Sequence, residues 1–395
     1  MYAIVTPTFI GHFQFIKPYL ESFERFLKDP ENVVFYFTIS KNEEHKFQKI
    51  IKPYKNLNIK ILIFEDILQQ FGIKQAPLEL LFLYKKFSFQ TLKKFYTMLY
   101  IPERYSLVLD SESMAINSFS AEELFENFFK APFVSGSDIK RRYFSDFTNA
   151  VNQNINLILN ENIPYWFLEN FVWFYDKKIL EDLFNQYGTP LEIVQKVYQE
   201  QEKNIINQNV GVFEIELYQA YVWKNLKKYN YSFYDVNEML KIALTSEKYQ
   251  DFMLLHAQKY NGNCGLLERI TDLLPYISFD DISQKMHNSK FNIIRCDKTD
   301  LKLYPLQKQF LEIVQPCILA ASQEHCFGIN NTWQNRLKLM LFSSKPFEKL
   351  KKHFLRFVEP FRKVINWIFE PFSILYYFIK VLFKICKNFR MIIGG

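Results

Sequence analysis

The sequence predicts an α/β fold with a mostly parallel sheet flanked by helices and a helical C-terminal extension. Two observations carry that expectation. Short apolar runs recur through the first 115 residues, and segments of helical period separate them. At 49% apolar and 23% charged residues, the 395-residue chain can bury a large core, which excludes global disorder.

The elements follow in order. Ala3-Ile4-Val5-Thr6 reads as a buried strand running into a loop at Pro7. Phe15 to Leu27 places Ile16, Leu20, Phe23 and Phe26 on one helical face. Val33–Ile39 is a second strand and Glu43–Ile51 a second helix. Ile59–Phe64 is a third strand, Phe87–Tyr100 a third helix and Tyr105–Leu109 a fourth strand. Strands separated by helices of this length favour parallel pairing with both faces covered. Beyond them, 119–130 reads as helix, Phe133–Ser135 and Phe171–Phe174 as strands, and Lys178–Asn185 as helix. Residues 213–228 read as an amphipathic helix, and 250–340 as short helices and loops broken at Pro275, Pro305 and Pro316.

Composition removes several function classes. Only 10 glycines are present, and none form a G-x-G-x-x-G or a P-loop. A nucleotide would have to be held by side chains or a metal. The net charge of +7 is confined to the end of the chain: Lys345–Gly395 carries +8 and the first 344 residues carry −1. A basic nucleic-acid-binding body is therefore disfavoured. The five cysteines (Cys264, Cys296, Cys317, Cys326, Cys386) have no C-x-x-C spacing, which argues against a zinc ribbon or a secreted disulfide framework. A reducing cytoplasm fits those cysteines, and Met1 to Val5 runs directly into a strand-like stretch, so no signal peptide is expected.

In open α/β sheets, ligands sit beyond the carboxyl ends of the strands. That rule points to Thr6-Pro7-Thr8 and to Asp110-Ser111-Glu112, which follows the fourth strand. Two carboxylates at i and i+2 in an extended turn can approach one hard cation, leaving sites open for phosphate oxygens. A solvated turn is the competing reading of the same three residues. No H-E-x-x-H, G-x-S-x-G or Ser/His/Asp grouping supports a hydrolase.

Over residues 1–240 the chain resembles bacterial GT-A-fold glycosyltransferases of the capsular polysaccharide and lipooligosaccharide type. The resemblance rests on Ile4-Val5-Thr6-Pro7-Thr8, on Gln90-x-x-Lys93-Lys94, on Val108-Leu109-Asp110-Ser111-Glu112 as a variant D-x-D, and on Phe213-Glu214-Ile215-Glu216-Leu217-Tyr218. It implies that Asp110 and Glu112 bind Mn²⁺ or Mg²⁺ and a nucleotide-sugar diphosphate, with Ser111 near the ribose. Glu112 stands where the family has a shorter Asp. The resemblance also implies Thr6 and Thr8 near the base, and Gln90, Lys93 or Lys94 toward the nucleotide and its phosphates. His325 would be a third metal ligand.

An inverting transfer needs a general base. Glu214 is the better positional match and Asp138, in Ser135-Gly136-Ser137-Asp138, the second candidate; acidic residues in a first helical turn also simply suit the helix dipole. In a retaining enzyme Glu214 would only position substrate. Lys140, Arg141 and Arg142 could steady a phosphate. Trp166 and Trp173 could stack on a sugar, though aromatics this abundant suit a core.

From 341 to 395 the composition changes to an interfacial pattern. Phe347, Leu350, Phe354, Phe357 and Phe361 share a helical face, and Lys349, Lys351, Lys352, Arg356 and Arg362 occupy others. The expected organisation is a nucleotide-sugar-binding domain over 1–250, a helical subdomain on the acceptor side over 251–340, and a basic membrane-associating tail over 341–395. The expected function is transfer of a sugar from a UDP-sugar, or a GDP-sugar, to a surface glycan or lipid-linked acceptor. The enzyme would be peripheral on a bacterial inner membrane, with the tail on anionic lipid. From another class, a non-catalytic membrane-associated assembly protein of a polysaccharide complex fits the tail equally well.

Overall fold

The computed structural model describes residues 1–139, 146–169, 173–204, 210–260, 265–268, 270–273, 275–276, 293–295 and 316–320. The chain divides into two compact units, Met1–Ile329 and Asn330–Gly395. All described residues belong to the first, so the tail and His325 lie outside them, as do Lys140, Arg141 and Arg142.

Strand β1 (Tyr2–Pro7) buries Ala3, Ile4 and Val5 almost completely, which only a central strand with both faces covered requires. After it come α1 (Phe13–Phe26), β2 (Val33–Ile39), α2 (Glu44–Ile51), β3 (Ile59–Ile63) and α3 (Phe64–Gln70). Next are the long α4 (Pro77–Tyr100), β4 (Tyr105–Val108) and the short β5 (Met114–Ala115). The chain continues through α5 (Ala121–Lys130), β6 (Phe133–Asp138), α6 (Asp146–Leu159), β7 (Tyr165–Trp166), β8 (Phe174–Asp176), α7 (Lys177–Tyr187) and α8 (Pro190–Asn204). The remaining described elements are α9 (Glu214–Lys224), α10 (Leu226–Tyr229), β9 (Ser232–Asp235), α11 (Val236–Ala243), α12 (Ser246–Tyr260), β10 (Ile293–Arg295) and β11 (Ile318–Ala320).

The central sheet has the order β3-β2-β1-β4-β8. β1 pairs in parallel with β2 (Tyr2 opposite Val33) and with β4 (Val5 opposite Val108); β2 and β3 are also parallel, and β8 runs antiparallel to β4. The chain winds outward through β1, β2 and β3, then crosses back to place β4 on the other side of β1. That reversal opens a crevice between the carboxyl ends of β1 and β4. Two three-stranded sheets, β7-β6-β9 and β10-β11-β5, complete the described strands.

Alternation along β1 assigns its side chains to two cores. Ile4 joins Ile16, Tyr19 and Phe23 of α1 and Phe125 of α5 on one face. Ala3 and Val5 join Leu92 and Phe95 of α4, Leu180 of α7 and Tyr218 of α9 on the other. The aromatic richness is largely spent here, as in the Phe23–Phe35 edge contact at 5.2 Å.

Three readings of the sequence change. The helix ending at Tyr100 begins ten residues earlier than Phe87, at Pro77, and breaks at Lys85, whose φ of 63° and ψ of 177° are non-helical. A non-glycine residue in that region stores about 1–3 kcal/mol of strain. The helix read as amphipathic over 213–228 ends as α9 at Lys224, and Glu214 through Val222 are all buried. Its carboxylates and amide are enclosed with the apolar residues. Finally, the Phe171–Phe174 strand is observed as Phe174–Asp176, with 170–172 outside the described residues. Among the described residues, no helix is long and apolar enough to cross a membrane.

Candidate active site at the β1–β4 crevice

The loop after β1 is built before any ligand arrives. The Thr8 amide donates to the Thr38 carbonyl at 3.0 Å, extending the β1–β2 ladder. The Thr8 carbonyl accepts from Lys93 Nζ at 2.7 Å, and the Ile10 amide donates to Glu43 Oε1 at 2.8 Å. The rings of Phe9 and His12 lie 4.5 Å apart, and Phe9 is exposed.

On the other side of the crevice the Leu109 amide donates to the Val5 carbonyl at 3.0 Å, carrying the ladder one residue past β4. The chain then turns through Asp110-Ser111-Glu112. Asp110 is 42% exposed and Glu112 24% exposed, whereas Ser111 is buried. Ser111 Oγ bonds His12 Nδ1 at 3.0 Å, and the same nitrogen lies 3.8 Å from Glu112 Oε1. Burial, aided by Lys86 and opposed by Asp110, lowers the His12 imidazole to about 4, so it is neutral near pH 7.

Behind the turn stands Lys94 of α4. Its ammonium bonds Glu214 Oε1 at 2.5 Å and lies 3.6 Å from Asp110 Oδ1, with the side chain 14% exposed. Burial alone would lower it, but Glu214 and Asp110 outweigh that cost and raise it above the ordinary lysine value. Thr91 Oγ1 lies 2.5 Å from the Val212 carbonyl and 3.1 Å from Glu214 Oε2. Thr91 has one hydroxyl proton for these two acceptors, and the carbonyl is the nearer.

The segment leading into α9 presses directly on α4. The Val212 amide donates to Ser88 Oγ at 3.2 Å, and Asn154 Nδ2 donates to the Val210 and Gly211 carbonyls. A Cβ on Gly211 would lie 2.0 Å from Ser88 Oγ, so only glycine permits this approach.

The structure therefore gathers Asp110, Ser111, Glu112, Lys94 and Glu214, and adds His12 and Thr91. Lys93 points elsewhere: it is buried, supports the Thr8 carbonyl, and is lowered to about 8 by burial, partly offset by Glu43 and Glu65. Thr6 is buried with its hydroxyl 3.0 Å from that of Tyr19. Thr8 is buried and its hydroxyl has no hydrogen-bond partner among the described residues. Gln90 is half-buried on α4. Asp138 ends β6 in another sheet, where its amide donates to Asn237 Oδ1 at 2.7 Å. Trp166 and Trp173 are buried in the body. Glu216, two residues after Glu214, faces inward and accepts from the Phe167 and Leu168 amides.

Sequence reasoning missed His12 and Thr91. The first lies four residues past Thr8, at the strand end the sheet rule singles out, and that position was its available signal.

As a metal centre the crevice is open. Among the described residues, no group of three or more His, Cys, Asp or Glu side chains is placed to hold an ion. Two carboxylates fit a hard cation that fills its remaining positions with water and phosphate oxygens, and do not fit a closed protein cage. A cavity of about 330 Å³ opens at the opposite end of the sheet, lined by Tyr2, Tyr105, Phe125, Glu126, Phe129 and Lys130. It lies at the amino ends of β1 and β4, away from the perturbed charges.

No protein-family model matches the chain, and no curated protein matches it. Among solved structures it is similar to mouse xyloside xylosyltransferase 1 in its apo form, at 11% identity and a TM-score of 0.35, covering 60% of this chain and 84% of that one. It is also similar to the galactosyltransferase LgtC in complex with donor and acceptor sugar analogs, at 12% identity and a TM-score of 0.34, covering 63% and 82%. Likeness at this level carries no functional weight.

Proposed function

We propose that the protein is a GT-A-like glycosyltransferase that uses a nucleotide-diphosphate sugar, with Asp110 and Glu112 holding a divalent ion. One observation carries this reading. The two partly exposed carboxylates sit at the crevice where strand order reverses, with Lys94 buried behind them. Mn²⁺ or Mg²⁺ there would supply Lewis-acid neutralisation of the leaving diphosphate.

The chain's own residues do the rest. Ser111 and His12 hold the acidic turn in place, and Glu43 and Lys93 fix the loop that faces it. The sugar's anomeric carbon exchanges its bond to the diphosphate oxygen for one to the acceptor oxygen, and the acceptor hydroxyl gives up a proton. Glu214 has one oxygen bonded to Lys94, the other beside Thr91, and only 11% exposure. That favours a positioning role, which a retaining transfer allows, over the base that an inverting transfer requires. The anomeric configuration of the product decides between them. A surface glycan or lipid-linked acceptor and membrane association through the basic tail belong to the same proposal.

The test is calorimetric titration of UDP, GDP and CMP into the full chain, with and without Mn²⁺, beside Asp110→Asn. Metal-dependent binding of one nucleotide, lost in the variant, is the expected result. A folded chain that binds none of them would sink the reading and leave the assembly-protein alternative.

A further inference from the structure

Two carboxylates reach Lys94 from two directions: Asp110 from the turn after β4, and Glu214 from the first turn of α9. Like charges this close repel one another, and the repulsion grows as water is excluded. Lys94 answers it. Its ammonium is 2.5 Å from Glu214 and 3.6 Å from Asp110, so one cation ties the outer carboxylate to the inner one. Glu214 has a second partner in Thr91, whereas the Asp110 contact is longer and faces a more exposed group. The two contacts are unequal. Lys94 is anchored at Glu214 and leans on Asp110.

We propose that Lys94 is the resident counter-cation of the acidic turn, and that a divalent ion must compete with it for Asp110. The inference rests on the metal-binding reading above and goes beyond it, because it assigns Lys94 to the empty state of the site and not to the phosphates. An ion held by Asp110 would leave Glu214 as the carboxylate partner of Lys94. Loss of Glu214 has the opposite effect, leaving Lys94 with Asp110 as its remaining carboxylate and making it a stronger competitor.

That asymmetry sets an ordering, because the ammonium lies nearer Asp110 than its neutralising partner does. Mn²⁺ alone is titrated calorimetrically into the wild-type chain, Glu214→Gln, and the double variant Lys94→Met/Glu214→Gln. Thermal melts confirm folding, and the double variant avoids stranding a buried charge. Mn²⁺ should bind the double variant tightest, the wild type next and Glu214→Gln weakest. The two variants should differ by about tenfold, the scale of one unit charge near a divalent ion in a wet site. Adding Asp110→Asn to the double variant should abolish the gain.

Equal affinity in all three chains, with Mn²⁺ bound, would overturn the role of Lys94 and leave the metal site standing. Binding only to the double variant would support Lys94 as occupant of the site, while removing the metal from the wild-type reading. No Mn²⁺ bound to any of the chains would overturn both.

Discussion

The two ends of the central sheet are made from the same strands and differ in almost every physical respect. At the amino ends of β1 and β4, Tyr2 stacks on Phe125 at 4.5 Å and Tyr105 on Phe129 at 3.9 Å, around the cavity described above. At the carboxyl ends the backbone loops are pinned by buried charges, and two partly exposed carboxylates follow β4. Hollow space marks where large rings fail to fill a corner, whereas chemistry needs groups held away from their preferred partners. The polar end is where those groups are.

The sharpest way to break this contrast is at Asp110. Asp110→Asn should lower metal-dependent nucleotide binding by about a hundredfold or more, on the scale of losing a group aimed at developing charge. It should barely move the melting temperature, because the side chain is 42% exposed. A large stability loss would make Asp110 a structural residue instead.

Glu216 should behave in the reverse manner. Its oxygens accept from the Phe167 and Leu168 amides, so Glu216→Ala would strand two backbone donors and cost about 2–5 kcal/mol in denaturant unfolding. Comparing it with Asp110→Asn separates a carboxylate that holds the fold from one that faces a ligand.

A pH titration sharpens the loop's part. Lys93 is held at about 8 in the folded chain against 10.5 in the ordinary group. Between those values the unfolded state binds more protons, so stability rises with pH. Relative to Lys93→Met, the wild type should gain up to about 1.4 kcal/mol per pH unit across that window. Parallel curves for the two chains would mean that Lys93 is not buried as an ammonium. The smallest effect is expected at the aromatic end. Glu126→Gln, on an exposed position of α5, should leave nucleotide binding unchanged and stability within about 0.5 kcal/mol.

Much of the sheet was legible because its strands are uninterrupted apolar runs. Val33–Ile39 was read to the residue, and Asp110 and Glu112 followed from knowing where such a strand ends. The helix α3 was missed because its first residue, Phe64, continues the apolar run of β3 with no glycine or proline between them. The helix α6 carries four asparagines, at 149, 152, 154 and 156, which hide its helical period, yet Asn152 and Asn154 are buried and bonded to backbone carbonyls. The helix α9 misled for a related reason: its polar residues are satisfied inside the protein, so polarity did not mean exposure. Lys93 and Lys94 were paired as phosphate candidates, although neighbours on a helix face directions about 100° apart. One went to a carbonyl and the other to two carboxylates. His12 had no spacing to announce it.

The bare backbone at Gly211 works as a gauge block. With no atom beyond Cα, it fixes how near the stem of α9 can come to Ser88, and Glu214 is delivered to Lys94 from that stem three residues later. A single methyl there would meet Ser88 Oγ at 2.0 Å and the Ser88 amide nitrogen at 3.0 Å, so the serine or the stem must give way. An uncharged, seemingly innocent change at 211 would thus detune the charges in the crevice without touching one of them.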